Sequence, residues 1–241
     1  QVGALLIEYI LSQLKAKSAL PKNGVLVKTI VTSELGRVIA SAYGVETIDV
    51  LTGFKYIGDK IKEFQASGKH TFLFGYEESY GYLAGTFVRD KDAVIASTLV
   101  SEMGAYYKDR GITIYEALQN IYKKYGYFME SLKSITLKGR EGSREITAIM
   151  KSLRHNPPAS IGDEKVTDIK DYKNGYADLP SSDVLQYITD KNSKISIRPS
   201  GTEPKIKIYF SSSSTDHDSV CKKLSALQDE FIAKIDELVH H

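Results

Sequence analysis

The chain has 241 residues and a formal net charge of +2, with ordinary apolar and charged fractions. That length allows one large domain or two smaller ones, and so small a charge gives no reason of its own for a nucleic-acid or membrane partner. The single cysteine, Cys221, excludes an internal disulfide and fits a reducing compartment such as the cytoplasm, and no apolar run nears the roughly 20 residues of a membrane span.

Val2, Leu5, Leu6, Tyr9, Ile10 and Leu14 recur at helical spacing and predict an amphipathic helix over 2–17. Pro21 to Gly24 signals a turn, and VLVKTIV (25–31) a strand. A helix over 34–43 takes Thr32 or Ser33 as its cap, a short strand follows at 45–49, Thr52-Gly53 forms a loop, and 55–66 forms a helix. HTFLFG (70–75) is a strand leading into a loop rich in glycine and alanine, and 90–108 is a helix. Thr113 and Glu116 form a capping box for a helix over 114–125. This alternation predicts an α/β three-layer domain with a mixed sheet over 1–127. Beyond it the pattern changes. Strands are expected over 128–139 and near 165–171, 194–198 and 205–211, with helices over 142–154 and 216–238. That is an α+β domain over 128–241, an antiparallel sheet with helices on one face. The sequence opens on Gln1, already in helical periodicity, and closes on His240 and His241, read as the stub of an expression tag; the whole is expected to be a piece of a longer protein.

Two stretches carry chemistry. In RPSGTEPK (198–205) Arg198 offers a planar fork of donors that matches an oxyanion pair. Ser200 and Thr202 add hydroxyls, Gly201 lets backbone N–H groups come close, and Pro199 and Pro204 stiffen the segment. In the strand that follows, Lys205, Lys207 and Tyr209 share one face, and either lysine could add charge at the rim. The same residues would also make an ordinary β-turn beneath an exposed arginine. In FGYEESYGYLAG (74–85), an extended chain would point Glu77 and Ser79 one way and Glu78 the other. A carboxylate and a hydroxyl on one side suit a polyol, with Tyr76, Tyr80 and Tyr82 as walls. Acid–base work, a metal, or a solvated acidic loop after a strand are the other readings. A glycosidase is disfavoured, because adjacent strand residues face apart.

RPSGTEPKIKIY resembles the phosphate-binding loop in the last domain of the α-D-phosphohexomutases, the phosphoglucomutase and phosphomannomutase superfamily. The resemblance implies that Arg198, Ser200, Gly201 and Thr202 grip a substrate phosphate. FGYEESYG is similar to the sugar-binding loop of the family's third domain, which assigns the reading of sugar hydroxyls to Glu77 and Ser79. TGFKYIG (52–58) is similar to the family's Thr-Gly loop and carries a weaker sugar-binding role to Gly53 and Phe54; RDKDA (89–93) resembles the segment whose lysine, here Lys91, contacts substrate. Read on its own, Lys91 is equally a solvated lysine at a helix start. Some family members carry histidines where this chain has Gly81 and Phe54, so no acid–base role for those histidines transfers. The aromatic-rich loop is closer to the phosphoglucomutase branch that includes phosphopentomutase-like members.

The family also has a phosphorylated serine in its first domain and a magnesium-binding Asp-x-Asp-x-Asp loop in its second. Neither motif occurs here, and QVGALLIEYI resembles the helix that follows the metal loop. The expectation is therefore a substrate-binding C-terminal half with no catalytic and no metal-binding residue of its own. Magnesium would be bound by the missing upstream domains, its partners in the same chain, and glucose 1,6-bisphosphate would serve as intermediate. The parent would interconvert glucose 1-phosphate and glucose 6-phosphate. Phosphomannomutase or phosphopentomutase activity, or a non-catalytic phosphosugar-binding module, are the alternatives. A nucleic-acid role for KIKIYF would rest on two lysines and a tyrosine, and the near-neutral charge speaks against it.

Overall fold

The computed structural model describes residues 1–239; His240 and His241, the expected tag remnant, lie outside the described residues. The backbone divides into two compact units, Gln1–Gly126 and a second that begins at Tyr127.

The first unit runs α1 (Val2–Ala16), β1 (Gly24–Thr29), α2 (Leu35–Ala42), β2 (Glu46–Val50), α3 (Phe54–Ser67), β3 (Thr71–Tyr76), β4 (Tyr82–Ala84), α4 (Ala93–Asp109) and α5 (Ile114–Tyr125). Its sheet has the order β2-β1-β3-β4; β1 pairs in parallel with β2 and β3, and β4 runs antiparallel to β3. Strand β1 is buried on both faces, which is why it is a nearly continuous apolar run. Val25 and Val27 pack with Phe54, Ile57, Ile61 and Phe64 of α3. Leu26 alternates to the opposite face.

On that face lies Tyr76, the last residue of β3. Cβ atoms added to Gly3 of α1 and Gly36 of α2 would both run into the Tyr76 side chain. The two glycines thus let both helices close over the ring that precedes Glu77. Gly36→Ala drives a methyl into the Tyr76 hydroxyl, and we expect it to cost about 1–3 kcal/mol as an overpacked core. Urea unfolding of the variant checks this, and a midpoint unchanged from wild type would refute the tight approach.

Lys28 interrupts the apolar run of β1 and is fully buried. Its ammonium lies 3.0 Å from both Glu34 Oε1 and Asp49 Oδ1 and donates to the Thr32 carbonyl. Arg37 closes the set, at 2.8 Å from Glu34 and 2.6 Å from Asp49. A buried lysine of this kind is tolerable only because its charge is paired and its protons are used. The pairing fixes the β1–α2 connection. Helix α2 has Glu34 at its N-cap position, not Thr32 or Ser33, and no side chain caps it there; Ser33 Oγ instead accepts from the Leu35 N–H. The expected capping box of Thr113 and Glu116 is complete.

The second unit runs β5 (Tyr127–Thr136), α6 (Gly139–His155), β6 (Ser160–Ile161), β7 (Glu164–Asp171), β8 (Leu185–Thr189), β9 (Lys194–Pro199), β10 (Lys205–Ser214) and α7 (His217–Val239). The sheet order is β5-β10-β9-β8-β7-β6, with every neighbouring pair antiparallel. Ile195, Ile197, Ile206, Ile208 and Phe210 form one apolar cluster with Ile149 and Leu153 of α6 and with Leu227, Phe231 and Ile235 of α7. Both helices therefore cover one face of the sheet. The alternation that buries Ile206 and Ile208 turns Arg198, Lys205 and Lys207 to the other face.

Candidate functional site

The first candidate site lies beyond the C-terminal ends of the parallel strands, where open α/β sheets bind their ligands. Gly53 is the N-cap of α3 at φ 119°, a conformation that L side chains avoid, and it delivers Phe54 into the core as the first helical residue. Lys91 stands in the connection before α4, whose cap is Asp92 accepting from the Val94 and Ile95 N–H groups. The Lys91 ammonium lies 5.9 Å from the centre of the Phe54 ring and 3.8 Å from Glu77 Oε1. Phe54, Glu77 and Lys91 are thus gathered at one place.

The extended reading of residues 77–79 is corrected. Strand β3 ends at Tyr76, and the chain turns back through Glu78 and Ser79 into β4, with the Glu77 N–H bonded to the Gly81 carbonyl at 2.9 Å. Tyr80 takes a positive φ of 63° and is 85% exposed. What separates Glu77 from Glu78 is therefore burial and partners, not strand alternation. The Glu77 side chain is 11% exposed, beside Lys91, whereas Glu78 is exposed and accepts from Thr29 Oγ1 at 3.4 Å. Ser79 sits exposed in the turn. Gly81 lies directly beneath Glu77, and a Cβ there would come 2.6 Å from Glu77 Oε1, so any larger residue would shift that side chain.

Burial pushes the Glu77 carboxyl above the usual carboxylate range; Lys91 pulls it back, and Glu78 and Asp90 add to the rise. A raised carboxyl pKa favours the protonated form in the folded state. The stability this group contributes is complete below the ordinary carboxylate pKa and is lost as pH rises through the raised value. Glu77→Gln should therefore melt at or above the wild-type temperature at neutral pH, with the gap closing near about pH 4. It should at the same time lose more sugar-phosphate activity than Glu78→Gln in an enzyme that carries this chain. Melting curves at the two pH values and parallel kinetics check both halves; equal losses for the two variants would return the pair to a solvated loop.

In the second unit Arg198 is the fifth residue of β9, and Pro199 ends the strand. Ser200 begins the turn: its N–H donates to the Lys205 carbonyl at 2.7 Å, and its Oγ accepts from the Thr202 and Glu203 N–H groups at 3.4 and 3.3 Å. Those two N–H groups are thus directed inward, but the Ser200 hydroxyl keeps its proton to donate. Gly201 and Thr202 are exposed, and no atom would lie within 4 Å of a Cβ at Gly201. Arg198, Ser200, Gly201 and Thr202 therefore share one short turn. Lys205 is held by Glu203 at 3.0 Å, a partner that the sequence reading did not assign. The Thr29–Thr32 hydroxyl pair, 2.7 Å apart, and its bond to Glu78 were also missed. The only cue was a lysine and two threonines at the end of an apolar strand.

The residues present do not fit a metal ion. Among the described residues, no group of three or more His, Cys, Asp or Glu side chains could hold one, and the Glu77 carboxylate faces an ammonium. No helix among them is long and apolar enough to cross a membrane.

A mixed α/β unit with a carboxylate–lysine loop is followed in this chain by an antiparallel α+β unit with an arginine-headed turn. The family model described as phosphoglucomutase/phosphomannomutase, α/β/α domain III, matches residues 1–125, and that of the family's C-terminal domain matches residues 153–223. The phosphoglucomutase of Staphylococcus haemolyticus is 39% identical over 222 residues, covering 88% of this chain and 39% of that protein. The phosphoglucomutase of Staphylococcus aureus strain MRSA252 is 38% identical over 238 residues, covering 94% and 42%. This chain belongs to the phosphoglucomutase/phosphomannomutase family and contains its third and C-terminal domains. It spans about two fifths of the length of these curated relatives. The open form of parafusin, a phosphoglucomutase of Paramecium, matches with a TM-score of 0.68 at 20% identity, covering 99% of this chain and 40% of that one. A putative phosphomannomutase of Thermus thermophilus matches with a TM-score of 0.61 at 14% identity, covering 97% and 40%. At these identities the likeness is one of fold.

Proposed function

We propose that this chain is the substrate-binding C-terminal part of a phosphoglucomutase-type enzyme that interconverts glucose 1-phosphate and glucose 6-phosphate through the 1,6-bisphosphate. The observation that carries the reading is the Arg198–Thr202 turn, a small-residue loop headed by a guanidinium in a family C-terminal domain. In this reading residues 1–127 read the sugar and 128–241 hold the phosphate. The Arg198 fork binds two phosphate oxygens, and the Ser200 and Thr202 hydroxyls and the Gly201 backbone bind from the side.

Glu77 accepts from sugar hydroxyls. Lys91, 3.8 Å from Glu77, donates to the same ligand, and Phe54 and Gly53 shape the floor beneath it. Ser79, exposed in the turn, supplies a hydroxyl that donates or accepts. Because the bisphosphate must be used in both orientations, these contacts serve either end of the sugar and supply positioning, which is a large part of a barrier. Phosphoserine and magnesium belong to the upstream domains, and the parent acts in the cytoplasm.

The test joins this chain to the upstream domains of one of the Staphylococcus phosphoglucomutases that it resembles. Glucose 6-phosphate should form from glucose 1-phosphate with magnesium and a trace of bisphosphate. A folded chimera that turns over mannose or pentose phosphates in preference to glucose phosphates would assign the parent to another branch.

A further inference from the structure

We infer that Thr29 is a positioning residue of the sugar site: its hydroxyl, oriented by Thr32 and through it by the buried Lys28 cluster, tethers the loop that carries Glu77. The inference rests on the reading of Glu77 as a sugar ligand and goes beyond it, because it gives Glu78 a task other than binding.

Thr29 ends β1 and is fully buried, and Thr32, three residues on, is buried beside it. A tight turn joins them, with the Thr32 N–H bonded to the Thr29 carbonyl at 3.0 Å. Their hydroxyl oxygens are 2.7 Å apart, and the Thr29 hydroxyl donates to Glu78 Oε2 at 3.4 Å. A hydroxyl has one proton to give, and an ionised carboxylate can only accept. The Thr29 proton therefore goes to Glu78, and the proton between the two threonines comes from Thr32. The Thr32 carbonyl in turn accepts from Lys28, whose ammonium is fixed by Glu34 and Asp49. The donors thus run in one direction, from a buried ammonium through two buried threonines to an exposed acid in the loop.

A second bond acts beside the first. The Tyr76 hydroxyl donates to the Ser33 carbonyl at 3.5 Å, so both chain neighbours of Glu77 are tied to the β1–α2 connection. The Glu77 N–H is held by the Gly81 carbonyl, and its carboxylate stays 3.8 Å from Lys91. Without Glu78 as acceptor, the two buried hydroxyls would share one bond between them, and one proton would be left over in a place closed to water. The tether therefore holds the 77–81 turn down from inside the sheet, and Glu77 keeps the direction in which it meets a sugar.

The test titrates glucose 1-phosphate, and separately inorganic phosphate, into the 241-residue chain and follows the backbone amides of Glu77, Ser79 and Lys91 for the sugar and of the 198–202 turn for the phosphate. Thr29→Val removes the proton and keeps the shape, and Glu78→Ala removes the acceptor. Each should weaken glucose 1-phosphate about two- to tenfold, and the double variant should lose no more than the worse single one, because both changes break the same bond. Thr29→Ser and Glu78→Gln keep a donor and an acceptor, and should bind within about twofold of wild type. Inorganic phosphate should bind equally to all of them. Losses that multiply in the double variant, or a loss in Thr29→Val that Glu78→Ala does not share, would overturn the inference. If Thr29→Val fails to fold, Glu78→Ala against Glu78→Gln still decides, since a merely solvated acid would make the two equal. Wild-type binding by Glu77→Gln would instead remove the sugar reading beneath it.

Discussion

Arg198→Ala is expected to lower kcat/KM for glucose 1-phosphate and glucose 6-phosphate alike in a reconstituted enzyme. The loss is that of a charge-assisted hydrogen bond, about 1.5–3 kcal/mol, or roughly 10- to 150-fold. Both substrates are expected to suffer, because in the proposed reading the turn binds the group they share. Arg198→Lys should restore little, since an ammonium keeps the charge but cannot make two parallel bonds to a phosphate. Arg198 is partly exposed at the end of a strand, on the face away from the apolar cluster, so its removal should leave the fold intact. Steady-state kinetics with both substrates check this, alongside a melting curve for each variant. Wild-type kcat/KM in the alanine variant would mean that the turn binds no phosphate.

The second expectation is a complete loss: the 241-residue chain on its own should form no glucose 6-phosphate. Phosphoryl transfer needs a donor group and neutralisation of the charge that develops on it. The proposed function assigns both to upstream domains and leaves holding and orienting the substrate to this chain. Binding should persist at millimolar strength or weaker, no better than roughly −4 kcal/mol, because solvent-exposed charge pairs count for little. The assay mixes the chain with glucose 1-phosphate, magnesium and a trace of glucose 1,6-bisphosphate, in a preparation free of full-length mutase. Product above a heat-killed control would show that this chain carries chemistry of its own.

Much of the architecture is legible in the residues. Two-sided burial makes β1 an apolar run, the capping box of Thr113 and Glu116 marks the start of α5, and isoleucine alternation outlines β9 and β10. Strand β8 is not legible. Its Gln186 and Thr189 are buried, but their partners are supplied by distant residues: Gln186 joins Tyr172 and Ser196, and Thr189 donates to the buried Glu164. Periodicity ranks such polar residues as surface, so a central strand resembles a loop. Strands β4 and β6 have three and two residues, too few to show a period.

Of the residues singled out in sequence, Phe54, Glu77 and Lys91 come together, but the geometry of residues 77–81 did not follow from the residue types. Alternation assumes that a strand continues, and here a tight turn replaces it, with Tyr80 at positive φ and Gly81 beneath Glu77. The Phe54–Glu77–Lys91 cluster needed the fold, because its members are separated by 23 and 14 positions in sequence. The Lys205–Glu203 pair was two residues apart and open to view; an adjacent acid in a basic loop is a signal worth weighing.

We propose that the turn headed by Arg198 is a phosphate site and that the loop of Glu77 is a sugar site. Amide resonances assigned along the whole chain, recorded while glucose 1-phosphate is added, test it most directly. The account predicts saturable shifts at Arg198, Ser200, Gly201 and Thr202 and at Gly53, Phe54, Glu77, Ser79 and Lys91, with inorganic phosphate moving the first group alone. Shifts confined to other surfaces, or none at tens of millimolar ligand, would contradict it.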